Sequence, residues 1–149
     1  VEAWRAAILP MQSVKGSVIP IETINDGVAA SAATLIYCGA KKRYTFPLAS
    51  FILHPSAAPN IKSEWVRPNE LALLKKDVED GNKYFREVYK TCTSLSSEAL
   101  DKALYSNDNA MYLQSDEAKK TKLSQGNAFG ILPAPLSYYI IDEKINPHW

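Results

Sequence analysis

From Gly27 to Cys38 the chain runs Gly-Val-Ala-Ala-Ser-Ala-Ala-Thr-Leu-Ile-Tyr-Cys, small or apolar almost throughout and without one charged side chain. Such a stretch is stable only when most of it is covered. From Ser31 onward it predicts a short buried helix with Gly39 as its stop. Asn25-Asp26-Gly27 is a turn signal at its entrance. Whatever fold the chain adopts has to enclose this segment.

The flanking segments provide the means. Val1 to Val14 places Val1, Trp4, Ile8 and Met11 at near-helical spacing, with Pro10 as a kink or stop and Gly16 as the end. Ser17 to Ile24 is β-branched and alternating, so it reads as a strand, made irregular by Pro20. Lys41 to Thr45 is a short strand broken by Pro47, and Ser50 to His54 is a strongly apolar one. Pro55 to Pro68 is a proline-rich surface loop. Asn69 to Cys92 is the clearest helix, with Leu71, Leu74, Val78, Phe85, Val88, Tyr89 and Cys92 on one face and Gly81-Asn82 marking a bend. Ser96 or Ser97 caps a helix through Leu104, and Ser106 to Asn109 is a polar turn. Ser115 N-caps another helix, with Asp116 and Glu117 favourable to its dipole. In the tail, Phe129 to Leu132 and Tyr138 to Ile141 read as strands. Strands alternating with helices imply an α/β architecture, a sheet covered by helices.

With 149 residues the chain reads as one domain over 1–149, able to bury roughly two-thirds of its unfolded surface. Its 17 basic and 16 acidic side chains leave a net charge of +1, which gives no electrostatic case for nucleic acid or an anionic membrane. No apolar run approaches the roughly 20 residues that span a bilayer, and no signal peptide is evident. Cys38 and Cys92 lack metal-ligand spacing and read as buried free thiols in a reducing compartment. His54 and His148 cannot by themselves assemble a metal site, so no cofactor or metal is implied. The chain opens at Val1 without a methionine and reads as the trailing portion of a longer domain whose first strands precede it.

Chemistry enters with Ser31 and His54. A serine hydroxyl is a weak nucleophile until a base within reach takes its proton, and the reaction also needs backbone N–H groups aimed at the developing oxyanion. Ser31 opens a helix whose first-turn donors are free, Ala32 N–H among them. The small neighbours Ala29, Ala30, Ala32 and Ala33 let a substrate backbone come close. The stretch is not a Gly-x-Ser-x-Gly elbow, since Gly27 lies four residues upstream and Ala33 stands where the second glycine would be. A serine in this position also serves as a plain N-cap, and a histidine ending a strand also serves as a hydrogen-bonded boundary residue.

Gly27-Val-Ala-Ala-Ser31-Ala-Ala-Thr-Leu-Ile, then Gly39-Ala40-Lys41-Lys42-Arg43-Tyr44, Pro47 and Phe51-Ile-Leu-His54-Pro55 together resemble the proteolytic subunit of the Clp protease family. The spacing is nearest to the shorter Clp-like proteases of phages and prophages. Thr93-Ser94-Leu95-Ser96 and Tyr112-Leu113-Gln114-Ser115-Asp116-Glu117-Ala118 continue the resemblance, which covers Val1 to about Leu123 and leaves the tail 124–149 poorly matched. It implies an α/β fold of the ClpP/crotonase-like type, a stack of ββα units lacking its first strands in this chain. It also implies a serine endopeptidase in which Ser31 is the nucleophile, His54 the general base and Ala32 N–H half of the oxyanion hole. The third triad member, an Asp, falls in the Ser106–Asn109 turn, and Asp108 is the choice over Asn107. The family's Asn-Ser-Pro-Gly-Gly segment, which carries the other oxyanion donor, would precede Val1.

The implied partners are a peptide or unfolded protein, further copies in a homo-oligomeric ring, and a separate ring ATPase; neither nucleic acid nor membrane is among them. The implied setting is the cytoplasm of a bacterium, with a bacterial or phage gene. Two rival readings share the fold: a catalytically impaired subunit with a structural role in a mixed ring, and a crotonase-type acyl-CoA enzyme. In the family the long helix packs two rings face to face, whereas its apolar stripe fits simple core burial equally well.

Overall fold

The computed structural model describes residues 3–58, 65–106 and 110–130. Its elements in order are α1 (Ala3–Gly16), β1 (Glu22–Asn25), β2 (Val28–Ala30), α2 (Ala32–Gly39), β3 (Lys42–Thr45), β4 (Ser50–Leu53), α3 (Pro68–Cys92), α4 (Ser97–Tyr105), β5 (Met111–Gln114), α5 (Ser115–Lys120) and β6 (Gly126–Asn127). Two successive strands are followed by a helix, twice over: β1-β2-α2, then β3-β4-α3. The strands of each pair belong to different sheets. β1 lies parallel to β3 and β3 to β6 in one sheet, while in the other β2 lies parallel to β4 and β4 antiparallel to β5. Each ββα unit therefore stacks on the next and extends both sheets by one strand.

Asn25 makes the corner between the sheets. Its side-chain carbonyl accepts from Gly27 N–H at 3.2 Å, and its amide donates to the Ser50 carbonyl of the next unit at 2.8 Å. Ser50 N–H in turn donates to Gly27 O at 2.8 Å. The turn signal in the sequence is thus also the joint between units. The core gathers Trp4, Ala7 and Met11 of α1, Leu35 and Tyr37 of α2, Phe51 and Leu53 of β4, Phe85 and Tyr89 of α3, and Leu100 and Leu104 of α4.

Several expectations need correction. Pro10 neither stops nor ends α1, which runs on to Gly16; Pro10 and Ala6, whose carbonyl loses its usual donor, both lie on the exposed side. Of the strand expected over Ser17–Ile24 only Glu22 onward pairs, and Val18 is fully exposed. Ser115 does not cap α5. The cap is Gln114, in a box where Glu117 accepts from Gln114 N–H at 2.8 Å, because β5 feeds directly into the helix. Phe129 is exposed and not in a strand; Leu132 and Tyr138–Ile141, with His148, lie outside the described residues. Cys38 and Cys92 are not free thiols but form a disulfide with a Cα–Cα distance of 5.7 Å, tying the end of α2 to the end of α3. A pairing between helices from separate units leaves no local spacing to read.

Two glycines serve close approach and not chain reversal. A Cβ on Gly39 would lie 2.7 Å from the Met11 carbonyl oxygen, so this glycine lets α1 and α2 touch. Gly81 does not interrupt α3, which is continuous from Pro68 to Cys92. A Cβ there would lie 2.6 Å from Ser56 Oγ, 2.9 Å from Ser56 Cβ and 2.9 Å from Trp4 Nε1. Alanine at position 81 gains about 1 kcal/mol of helix propensity, but overpacking of this kind costs about 1–3 kcal/mol. Gly81→Ala is therefore expected to lower stability in chemical denaturation. A stabilised variant would contradict this packing.

Candidate active site

The register of β2 against β4 brings the two sequence-predicted residues to one place. Ala30 pairs with Ile52 in parallel strands, so Ser31 and His54 emerge from the same ends of neighbouring strands. Ser31 N–H donates to Ile52 O at 3.0 Å, pinning the residue to β4. Both residues are half-buried.

Ser31 is not a plain helix cap. It occupies the N-cap position of α2, yet its side chain makes no capping hydrogen bond, and its backbone sits at φ 52°, ψ −124°. That conformation is uncommon for a residue with a Cβ and costs about 1–3 kcal/mol. A strained residue on a sharp strand-to-helix turn presents its side chain outward and places the first-turn N–H groups beside it, as a nucleophile elbow does. Ala32 N–H is the first of these donors.

His54 Nδ1 lies 2.7 Å from Pro55 O. A carbonyl only accepts, so this hydrogen bond puts the proton on Nδ1 and leaves the lone pair on Nε2, the nitrogen free to act as a base. The Ser31 hydroxyl and the His54 ring are not hydrogen-bonded to each other here, and such contacts often tighten only around substrate. Asp108 and Asn107 lie outside the described residues. The chain does enter β5 beside this site: Met111 pairs with Leu53, the residue before His54.

Side chains that the sequence did not single out hold the site in place. The buried Asn82 side chain on α3 accepts from Ser56 N–H at 2.6 Å, fixing the loop that leaves His54. The signal for it was present as a small and a polar residue interrupting an apolar stripe, which marks close approach as readily as a bend. Beyond His54 an open groove of about 760 Å³ runs between this loop, α3 and α4, walled by Pro55, Ala57, Leu74, Val78, Asn82 and Leu104. Among the described residues there is no cluster of His, Cys, Asp and Glu able to hold a metal.

The family model described as Clp protease matches residues 5–124. A ClpP1 mutant from Listeria monocytogenes is similar in structure, with a TM-score of 0.68 and 20% sequence identity over 83% of this chain. The chain spans 66% of that relative's length. No curated protein sequence matches significantly.

Proposed function

Because this chain belongs to the Clp protease family and has its ClpP/crotonase-like α/β fold, we propose that it is part of a serine peptidase that hydrolyses peptide bonds through an acyl-enzyme. The observation that carries the reading is the strained, uncapped Ser31 at the end of β2, one strand away from His54. Ser31 Oγ attacks the peptide carbonyl while His54 Nε2 takes its proton and later delivers it to the leaving amine. Ala32 N–H donates to the oxyanion. Asp108, just before β5 in the sequence, supplies the negative charge that stabilises the imidazolium.

An extended substrate would lie along β2, which is hydrogen-bonded only to β4 among the described strands, with a side chain in the groove past His54. The ring assembly belongs to the same proposal. The first turns of α3 leave Leu71 and Leu73 exposed, whereas Gly81 to Cys92 supplies the buried part of the helix; this fits a helix that projects to meet another copy. A peptide or unfolded-protein substrate, a ring ATPase partner and a cytoplasmic setting complete the proposal. Among the described residues no helix is long and apolar enough to cross a membrane. One observation favours the impaired-subunit alternative: Nδ1 of His54 is bonded to the neutral Pro55 carbonyl.

A fluorophosphonate probe tests the assignment directly, because Ser31 Oγ would displace fluoride from phosphorus. The protein is expected to label, and Ser31→Ala to abolish labelling. Undiminished labelling of the variant would overturn the assignment.

A further inference from the structure

We propose that Thr34 and Tyr89 are positioning residues that set the direction of the Ala32 N–H by holding the Ser31 carbonyl. The inference rests on the reading of Ser31 as nucleophile and Ala32 N–H as oxyanion donor.

The hydrogen-bond directions are forced. Thr34 Oγ1 lies 2.5 Å from Ser31 O, and a carbonyl only accepts, so the single hydroxyl proton of Thr34 is committed there. Tyr89 OH lies 2.6 Å from the same Thr34 Oγ1, so the phenol must be the donor in that pair. Both side chains are wholly buried. Burial also pushes the Tyr89 phenol well above its ordinary range, which keeps its proton in place. The result is a one-way chain from α3 to the nucleophile: Tyr89 O–H to Thr34 Oγ1, and Thr34 O–H to Ser31 C=O. Hydrogen bonds in series in a dry interior strengthen one another.

The Ser31 carbonyl and the Ala32 N–H belong to one planar trans peptide and point in opposite directions. Holding the carbonyl therefore aims the N–H. Ser31 is anchored on its other side by its own N–H to Ile52 O, and its carbonyl also takes Thr34 N–H at 2.9 Å. Without the relay, the strained ψ of Ser31 can relax by rotating this peptide, which swings the donor off the oxyanion. Thr34 carries the one aliphatic hydroxyl in α2, and among the described side chains Tyr89 is the donor that reaches it.

The test compares Thr34→Val, Thr34→Ser, Tyr89→Phe and the double variant Thr34→Val/Tyr89→Phe in the full chain. Fluorophosphonate inactivation is resolved into its binding constant and its maximal rate, and thermal unfolding is followed in parallel. Thr34→Val is expected to lower the maximal rate about 10²-fold, the scale of a displaced catalytic group, with the binding constant little changed. Thr34→Ser restores the rate. Tyr89→Phe lowers it about fivefold to tenfold, the worth of one hydrogen bond, and the double variant is no slower than Thr34→Val, because the two groups act in series. A folded Thr34→Val protein at the parental rate overturns the inference. So does a Thr34→Ser variant as slow as Thr34→Val. Should Thr34→Val fail to fold, an unchanged rate in Tyr89→Phe overturns it alone. Ser31→Ala separates the two levels: if it still labels, the nucleophile assignment fails; if it does not and the Thr34 and Tyr89 variants are unaffected, only the relay fails.

Discussion

Asp108→Asn is expected to lower turnover by up to about 10⁴-fold, the full loss in the serine-protease template, where the carboxylate alone orients and stabilises the ring. Peptide hydrolysis measured as kcat and KM would show the fall in kcat, with the unfolding midpoint unchanged. The size of the effect follows from what a carbonyl cannot do. Pro55 O accepts from His54 Nδ1 at 2.7 Å and so selects the tautomer and orients the ring. It carries only a partial charge, whereas the imidazolium formed when Ser31 gives up its proton needs a full negative neighbour. As the proposed third member, Asp108 would supply that charge. A variant within twofold of the parent would show that the Pro55 carbonyl suffices and that Asp108 lies outside the triad.

Arg43→Met is expected to lower stability by about 3–5 kcal/mol, because it strands several buried carbonyls that each cost about 1–3 kcal/mol when left without a donor. Arg43 on β3 is buried, and its guanidinium donates to four carbonyls. Nε reaches Leu123 O at 2.8 Å, Nη1 reaches Ala40 O at 2.8 Å, and Nη2 reaches Cys92 O and Lys122 O at 3.1 Å each. Those carbonyls lie just past α2, at the end of α3 and in the turn after α5. One side chain thus satisfies acceptors that the helix ends leave open. Burial holds the Arg43 pKa below its ordinary value, but the group keeps its charge because all its neighbours here are acceptors. Methionine fills the volume and leaves the carbonyls bare when no water replaces the donor. Differential scanning calorimetry should register a fall in Tm of about 10 °C. Lysine is expected to recover only part of it, because one ammonium cannot span four separated acceptors. A shift under about 2 °C for Arg43→Met would show that water takes over the role.

The sequence located Ser31 and His54 at the ends of strands because local physics sets such positions. Ser31 stands at a strand-to-helix corner because Gly27-Val-Ala-Ala can only be a short extended entry to a small-residue helix. His54 follows Phe51-Ile-Leu because that strand stops at Pro55. Both positions were legible, and so was the alternation that makes the fold α/β. β5 was missed because Met-Tyr-Leu-Gln buries only one residue, Leu113, and carries no alternation strong enough to read. The contacts of Gly81 and Asn82 with Ser56 are not legible in the sequence, because a small and a polar residue in an apolar stripe look alike whether the helix bends or another segment presses against it.

By itself the sequence determined the strong periodicities: the longer helices, the apolar strand Ser50–Leu53, and that a serine and a histidine sit at the ends of two strands. These are properties of neighbours along the chain, set by burial and backbone sterics over a few residues. Only the tertiary structure decided the pairing of β2 with β4 that makes the two ends one site. It alone placed the Cys38–Cys92 bridge, the Arg43 clamp on three separate elements, and the Tyr89 hydroxyl behind Thr34 and Ser31. Each of those joins residues from different ββα units, where the contact comes from how the units stack and no spacing within one unit encodes it.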